Sequence, residues 1–131
     1  MTNVVLVGSS EETRLLLRGL LRLYRHRVMA DGPTLESVAP SLDTRDPLTV
    51  IAEVEGDAAP ALEPVGQLLR DRPQIRFFLL TSRKDEAFEE AARRLGVVGF
   101  LRRPFAVHTL IDAVEGPRTA TPVASISPRQ R

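Results

Sequence analysis

Residues 4–12 read VVLVGSSEE, and this stretch decides the fold. Its first four residues form a short, mostly β-branched run that is apolar at every position, which is typical of a strand buried on both faces of a parallel sheet. The run ends at a glycine. Ser9 and Glu12 have the spacing of a helix capping box, and leucines follow at positions 15, 16, 17, 20, 21 and 23. The stretch therefore predicts a strand, a turn and a first helix over roughly residues 10–24.

The same alternation of a short apolar run and a helical pattern recurs along the chain. It predicts further strands at residues 28–30, 48–52, 77–80 and 97–101. It predicts a short helix that Thr34 caps and that runs through Leu42, and longer helices at 58–72, 85–95 and 106–115, with Gly96 ending the fourth helix. Strands that alternate with helices imply a doubly wound, parallel, five-stranded α/β sheet with helices on both faces.

Length and composition narrow the class of protein. The 131 residues suit one domain, and a formal net charge of +1 gives no overall attraction to nucleic acid or to an anionic membrane. There is no cysteine and there are only two histidines, which excludes thiolate chemistry and most histidine-rich metal sites. We see no secretion signal and no apolar stretch of about 18 residues, so we expect a cytoplasmic protein.

Functional groups in such a sheet collect at the carboxyl ends of its strands. Those ends carry Gly8 and Ser9, Glu53, Thr81, and the segment LRRP at 101–104. Residues 8–10 lack the pattern of a dinucleotide-binding or Walker loop, so a capped helix is the favoured interpretation there. His26 and His108 have no carboxylate or serine at useful sequence spacing, and we expect both to be solvated. The sequence predicts no enzyme.

The chain resembles the receiver domain of bacterial response regulators over about residues 3–115. The matching segments, in order and spacing, are Val4 to Arg14, the strand ending at Glu53, Phe78 to Ser82, and Gly99 to Phe105. The last segment is the most specific. The resemblance implies a flavodoxin-like receiver domain at residues 1–115, with residues 116–131 as a disordered basic tail.

The resemblance also assigns roles to the strand ends. In that family, two acidic residues hold Mg²⁺, an aspartate accepts the phosphoryl group, a Ser or Thr ends the fourth strand, and a lysine precedes the proline after the fifth. The corresponding residues here are Gly8 and Ser9, Glu53, Thr81, and Arg103. Only Thr81 is the usual residue. The departures imply a degenerate receiver that binds no metal and no other cofactor, unless a shifted register brings Glu11 or Glu12 to the pocket.

Glu53 and Arg103 carry opposite charges at neighbouring strand ends. A guanidinium is suited to binding a carboxylate through two hydrogen bonds, whereas lysine acts as a point charge. We therefore expect Glu53 and Arg103 to form an ion pair that fills the vacated metal and phosphate space. The alternative is neutral drift in a pocket that has lost its role.

The family couples phosphorylation to two residues that move inward together. Thr81 and Phe100 occupy those positions. Phenylalanine lacks the hydroxyl that a tyrosine would have there, so it gains by staying buried. We expect the domain to be held in one state.

The resulting hypothesis is a stand-alone receiver-like domain that signals by protein contact and independently of phosphorylation. One alternative is a phosphoacceptor that uses Glu53 or a tail hydroxyl, namely Thr119, Thr121, Ser125 or Ser127. Another is a small-ligand or nucleotide binder at the strand carboxyl ends.

Two predicted surfaces are candidates for binding a partner. Receivers commonly pair through the face formed by the fourth helix, fifth strand and fifth helix, and here that face should carry Arg93, Arg94, Leu95, Arg102, Val107, Leu110 and Asp112. Charges around apolar residues suit a homodimer. Basic residues also recur on and after the first helix, at Arg14, Arg18, Arg22, Arg25 and Arg27. A solvated face is the commoner outcome, so we expect a protein partner, no membrane and no nucleic acid.

The composition of the tail predicts that it is dispensable for folding. Residues 116–131 contain three prolines and no acidic residue, and they lack apolar periodicity. Deleting residues 117–131 should leave the melting temperature nearly unchanged in a thermal unfolding measurement. A drop of many degrees would show that the tail packs on the domain.

Overall fold

The computed structural model describes residues 2–54, 62–82 and 84–116. Parallel strands form one sheet in the order β2-β1-β3-β4-β5. The strands are β1 (Asn3–Val7), β2 (Arg27–Gly32), β3 (Thr49–Glu53), β4 (Arg76–Thr81) and β5 (Gly99–Arg102). The helices are α1 (Glu11–Leu23), α2 (Ala39–Leu42, preceded by a 3₁₀ turn at Glu36–Val38), α3 (Leu62–Asp71), α4 (Glu86–Leu95) and α5 (Val107–Glu115). The predicted doubly wound α/β fold is confirmed.

Alternate residues of the strands supply two cores, one on each face of the sheet. Phe77 and Leu79 of β4 face the cluster that includes α2, α3 and α4. Phe78 and Leu80 face the cluster that includes Leu17 and Leu21 of α1 together with α5. All four β4 residues are fully buried, which explains why the strands read as continuous apolar runs.

The start of β5 differs from the prediction, while the predicted start of the third helix is not tested. β5 begins at Gly99 instead of Val97 because Gly96, at φ +108°, ends α4, and the Val97 amide then donates to the Ala92 carbonyl of that helix. The predicted third helix began at residue 58. Residues 58–61 lie outside the described part of the chain, which enters α3 at Leu62.

The cap of α1 also differs. We predicted Ser9 as the capping residue, but Ser10 takes that position and its side chain accepts a hydrogen bond from the Thr13 amide at 3.2 Å. Ser9 is exposed. At the next helical segment, the N-cap is Leu35, one residue after the predicted Thr34, although the Thr34 hydroxyl accepts from the Ser37 amide at 3.1 Å.

The prediction that both histidines are solvated is wrong for His26. His26 is buried, and its Nε2 lies 2.7 Å from Oε2 of Glu115 at the end of α5. Its Nδ1 accepts a hydrogen bond from the Thr2 amide at 3.3 Å. The carboxylate stands 89 positions away in the sequence, so no local spacing could have revealed it. His108 is exposed, as predicted.

Arg76 joins β4 to the carboxyl end of α5. Its side chain is buried and donates to the Ala113 carbonyl at 3.0 Å and to the Val114 carbonyl at 3.1 Å. These are among the last carbonyls of a helix, which lack partners within the helix and carry partial negative charge. The guanidinium also lies over the Phe78 ring, at 5.2 Å from its centroid. Within the described residues, no helix is long and apolar enough to cross a membrane.

Arg76 gives a prediction about stability. Arg76→Met keeps much of the apolar stem but removes both donors, so it should lower the free energy of unfolding by about 1–3 kcal/mol in urea denaturation. The matched control is Arg70→Met, because Arg70 is exposed and, among the described residues, its side chain donates to Gln67 within α3. That substitution should change stability by less than about 0.5 kcal/mol. Equal losses for the two variants would contradict this role of Arg76.

Candidate functional site

The candidate site lies at the carboxyl ends of β1, β3 and β4 and in the segment after β5. Nη2 of Arg103 lies 2.5 Å from Oε2 of Glu53, so the structure pairs the two side chains whose pairing we expected. The Glu53 side chain is only 7% exposed, whereas that of Arg103 is 32% exposed. The carboxylate is therefore largely removed from water, and its partner reaches it from the rim of the cleft.

Both charged groups also contact the first turn of α1. The Ser10 amide donates to Oε1 of Glu53 at 3.4 Å, and Nη2 of Arg103 donates to the Thr13 hydroxyl at 3.4 Å. In a capping box, a glutamate within the helix accepts from the amide of the capping residue. Here Glu53 reaches that amide from the end of β3, which explains why Ser10 and not Ser9 begins the helix.

Gly8 brings the end of β1 against Glu53. A Cβ atom added at Gly8 would lie 2.7 Å from the Glu53 Cβ and 2.7 Å from its Oε1. The Cβ atom cannot rotate away, so a side chain at position 8 would require the backbone to move. The structure therefore leaves no room at Gly8 for the carboxylate that receivers carry at the matching position.

The residues at this site do not fit Mg²⁺. This ion prefers octahedral coordination by oxygen atoms and is usually held by one or two carboxylates. The Glu53 carboxylate already binds a guanidinium and an amide. Within the described ranges, no cluster of three or more acidic, histidine or cysteine residues could hold a metal ion. Glu11 and Glu12 are exposed in the first turn of α1.

Thr81 and Phe100 lie on adjacent strands next to the ion pair. Thr81 is buried, and its carbonyl accepts a hydrogen bond from the Arg103 amide at 2.9 Å. Phe100 is buried in the core cluster that includes Ala92 of α4 and Val97. The guanidinium of Arg93 lies over its ring, at 5.3 Å from the centroid. Phe100 is therefore packed inward, as its lack of a hydroxyl led us to expect.

The face of α4, β5 and α5 differs from the surface that the sequence suggested. Leu110 is fully buried in the core and cannot contact a partner, and Leu95 is half-buried against Gly66 of α3. Val107 is exposed, as are Arg93, Arg94, Arg102 and Asp112. The resemblance placed Leu110 on this face because it belongs to the fifth helix, but Leu110 lies on the side of α5 that packs into the core.

A buried carboxylate that sequence analysis missed organises this face. Glu89 of α4 is only 4% exposed, pairs with the Arg102 guanidinium, and lies 3.7 Å from that of Arg93. Two of the arginines that we expected to meet a partner therefore neutralise a carboxylate of their own chain. The acidic-to-basic order of charges along α4 was the available sequence signal, and it does not reveal which carboxylate is buried.

The basic run after Ser10 is likewise divided by a contact that we missed. Asp31, at the end of β2, accepts from Nε of Arg14 at 3.1 Å and from Nη1 of Arg18 at 3.0 Å. Arg14 also donates to the Gly8 carbonyl. These two arginines hold α1 against β1 and β2, while Arg22, Arg25 and Arg27 are exposed.

The ion pair gives a prediction that a double-mutant cycle tests. Glu53→Ala and Arg103→Ala should each lower the free energy of unfolding, and the double variant should lose less than the sum. Removing one partner of a buried pair costs about 3–5 kcal/mol, and an exposed pair contributes about 0–1 kcal/mol. Since only Glu53 is well buried, we expect a coupling energy of about 1–3 kcal/mol between these ranges.

The chain offers a matched control for this cycle. Glu90 and Arg94 form an exposed pair on α4 at 3.6 Å, with side chains 59% and 76% exposed. Their coupling should be about 0.3–0.5 kcal/mol and should weaken with salt. Additive losses at Glu53 and Arg103 would show that the two side chains do not interact in solution.

Comparisons with known proteins concern the fold. No protein-family model matches the chain, and none of the curated proteins matches it. Among solved structures, a DNA-binding response regulator of the LuxR family from Staphylococcus aureus superimposes with a TM-score of 0.73 at 16% identity, over 87% of this chain and 96% of that one. A response regulator receiver domain protein from Clostridium thermocellum gives 0.72 at 15% identity, over 87% and 91%.

The chemotaxis protein CheY4 of Vibrio cholerae is similar to the same extent. Its TM-score is 0.72 at 20% identity, over 86% of this chain and 94% of that one. At identities this low, the structural similarity establishes the fold and nothing more. This chain therefore has the fold of a response regulator receiver domain.

Proposed function

We propose that this chain is an atypical receiver that signals through protein contacts in the cytoplasm, independently of phosphorylation. The contact between Glu53 and Arg103 carries the proposal. A receiver needs an accessible carboxylate and a bound metal ion at this place. Here the Glu53 side chain is only 7% exposed, and the guanidinium of Arg103 is its counter-ion.

The pocket supplies its own charge balance. A phosphoryl group entering it would have to displace Arg103 from Glu53, and it would meet no metal ligand at Gly8. Moreover, glutamate places its carboxylate one methylene beyond that of aspartate, which misaligns it for in-line attack on a phosphoryl donor. Small misplacements of reacting atoms are costly in rate. These features support a site that has exchanged phosphoryl chemistry for a permanent ion pair.

The surroundings of the pocket support one resting state. Phe100 is packed inward beneath Arg93, and buried Glu89 ties α4 to Arg102 of β5. Moving Phe100 outward would expose an aromatic ring, and moving α4 would strand the Glu89 carboxylate. Both changes carry a cost in free energy, so the contact surface for a partner is available without an input.

Of the alternatives, phosphorylation of Glu53 has less support because it would require breaking the ion pair. The tail hydroxyls lie outside the described residues, and their phosphorylation stays a separate prediction. Two clefts formed by described residues lie at the opposite end of the strands, around Pro47 and Arg76. Binding of a small ligand or nucleotide at the strand carboxyl ends also stays a prediction.

The charges of the surface bear on the kind of partner. A protein is favoured over nucleic acid because Arg14, Arg18, Arg93 and Arg102 are engaged with carboxylates of the chain itself. For a homodimer, the structure gives less support to the face of α4, β5 and α5 that the sequence suggested. Its apolar content is smaller than we expected, because Leu110 belongs to the core.

A phosphorylation test follows from this pocket. Incubation of the full chain with acetyl phosphate and Mg²⁺ should leave its intact mass unchanged, because no metal site is available to activate the donor. A gain of one phosphoryl group that Glu53→Gln abolishes would overturn the proposal. A gain that persists in Glu53→Gln but disappears on deletion of 117–131 would instead favour the tail.

A second readout tests the single state. Nuclear magnetic resonance signals of Thr81 and Phe100 should not shift when beryllofluoride and Mg²⁺ are added as a phosphoryl mimic. The sensitivity control is Arg103→Ala, which removes the counter-ion of Glu53 and should shift the Thr81 signal because the Arg103 amide is bonded to the Thr81 carbonyl. Shifts in the unmodified chain on adding the mimic would show that the pocket still responds.

A further inference from the structure

The outward side of α1 is apolar and exposed. Leu15, Leu16 and Leu23 are 65%, 63% and 74% exposed, and the following Tyr24 is 47% exposed. The inward side of the same helix is already used, since Leu17 and Leu21 are buried in the core. Large apolar side chains that are exposed together on one side of a helix suggest an interaction site more strongly than scattered single ones do.

Helix geometry places these residues on one stripe. At 3.6 residues per turn, positions 15, 19 and 23 lie on successive turns of one side, with position 16 beside them. The centre of the stripe is Gly19. We name Leu15, Leu16, Gly19 and Leu23 the outer face of α1.

Nothing in the single chain requires a glycine at position 19 of α1. A Cβ atom added there would meet nothing within 4 Å, so no neighbouring group of the domain requires a glycine. Glycine in the middle of an exposed helix is destabilising relative to alanine. What it offers is a shallow depression between leucines, into which the backbone of another helix can approach closely.

The charges at the two ends of the helix indicate what approaches. Glu11 and Glu12 are exposed at the amino end of α1, and Arg22 and Arg25 are exposed at its carboxyl end. A second α1 lying antiparallel would bring the acidic end of each helix to the basic end of the other. A parallel arrangement would oppose like charges at both ends, and it would also align the helix dipoles unfavourably.

We propose that the outer face of α1 binds a second copy of this chain, with the two helices antiparallel and crossing at Gly19. The interface is isologous, so each contact occurs twice. Leu15 and Leu23 lie four residues to either side of the crossing, or about 6 Å along the axis. Leu15 of one copy therefore packs beside Leu23 of the other.

This surface is independent of the pocket and of the face formed by α4, β5 and α5. Among the described residues of the face formed by α4, β5 and α5, Val107 is the large apolar side chain that is exposed, at 37%. The proposal does not rest on the proposed function, because an α1 dimer could form whether or not Glu53 accepts a phosphoryl group.

Sedimentation of the full chain gives the first test. The unmodified chain should be dimeric in the micromolar range, and Leu16→Glu combined with Leu23→Glu should make it monomeric without lowering its melting temperature. Val107→Glu is the matched control and should leave the dimer intact. A monomer throughout this range overturns the proposal, and so does a dimer that Val107→Glu disrupts and the α1 variant does not.

The chain contains no cysteine, so introduced cysteines can report the orientation. Under mild oxidation, a mixture of Leu15→Cys and Leu23→Cys chains should cross-link several-fold faster than either variant alone, because a disulfide needs Cα atoms less than about 7 Å apart. Faster cross-linking of Leu15→Cys with itself would indicate parallel helices and would overturn the proposal.

A membrane surface is the competing occupant. Vesicles of phosphatidylcholine and phosphatidylglycerol should not bind the full chain in a flotation experiment. Binding that Leu16→Glu with Leu23→Glu abolishes would assign the outer face to lipid and would overturn the dimer.

Discussion

The carboxylate of Glu53 is the group on which the arrangement of the strand ends depends. It lies between β1 and the first turn of α1, and it is largely removed from water. A buried carboxylate needs a counter-charge and hydrogen-bond donors, and it finds them in Arg103 and the Ser10 amide. Gly8 provides the space by having no side chain. The start of α1, the end of β1 and the segment after β5 are therefore positioned around one charged group.

Two further carboxylates of the described chain, the buried Glu89 and the partly buried Asp31, also have arginine partners. Glu89 is matched by Arg102 and Arg93, and Asp31 by Arg14 and Arg18. The contacts of Asp31 join α1 to β2 and the contact of Glu89 with Arg102 joins α4 to β5, whereas Glu89 and Arg93 both belong to α4. An arginine-rich sequence with a net charge near zero thus uses several of its cations inside the protomer. The surface left for partners is less basic than the count of arginines suggests.

The sequence was sufficient for the architecture but not for these contacts. Strands such as β4 are apolar at consecutive positions, and Gly96 marks the end of α4, so local patterns place both. The site residues came from the resemblance, which assigned both Glu53 and Arg103 to one site although they are 50 positions apart in the sequence. His26 with Glu115 and Glu89 with Arg102 have no such guide, because pairing over long sequence distances depends on how the elements pack. Leu110 shows the complementary failure, since periodicity locates an apolar side but does not say whether the core or solvent lies there.

Helix α1 connects the ion pair at the strand ends to the outer face that we propose as an interface. Its first turn is held by Ser10 and Thr13 to the ion pair, and its inner leucines fix it to the sheet. The helix is a rigid element, so its outer leucines move only if its first turn or its packing moves. In a receiver with an ordinary phosphorylation site, the first turn faces a pocket that changes charge when it is modified. Here the pocket holds its own ion pair, and the first turn has a constant neighbour. A pocket that keeps its charge and an outer face that needs no signal to become available are therefore consistent with each other. If the proposed dimer forms, its association depends on the protein concentration and not on a chemical signal at the pocket.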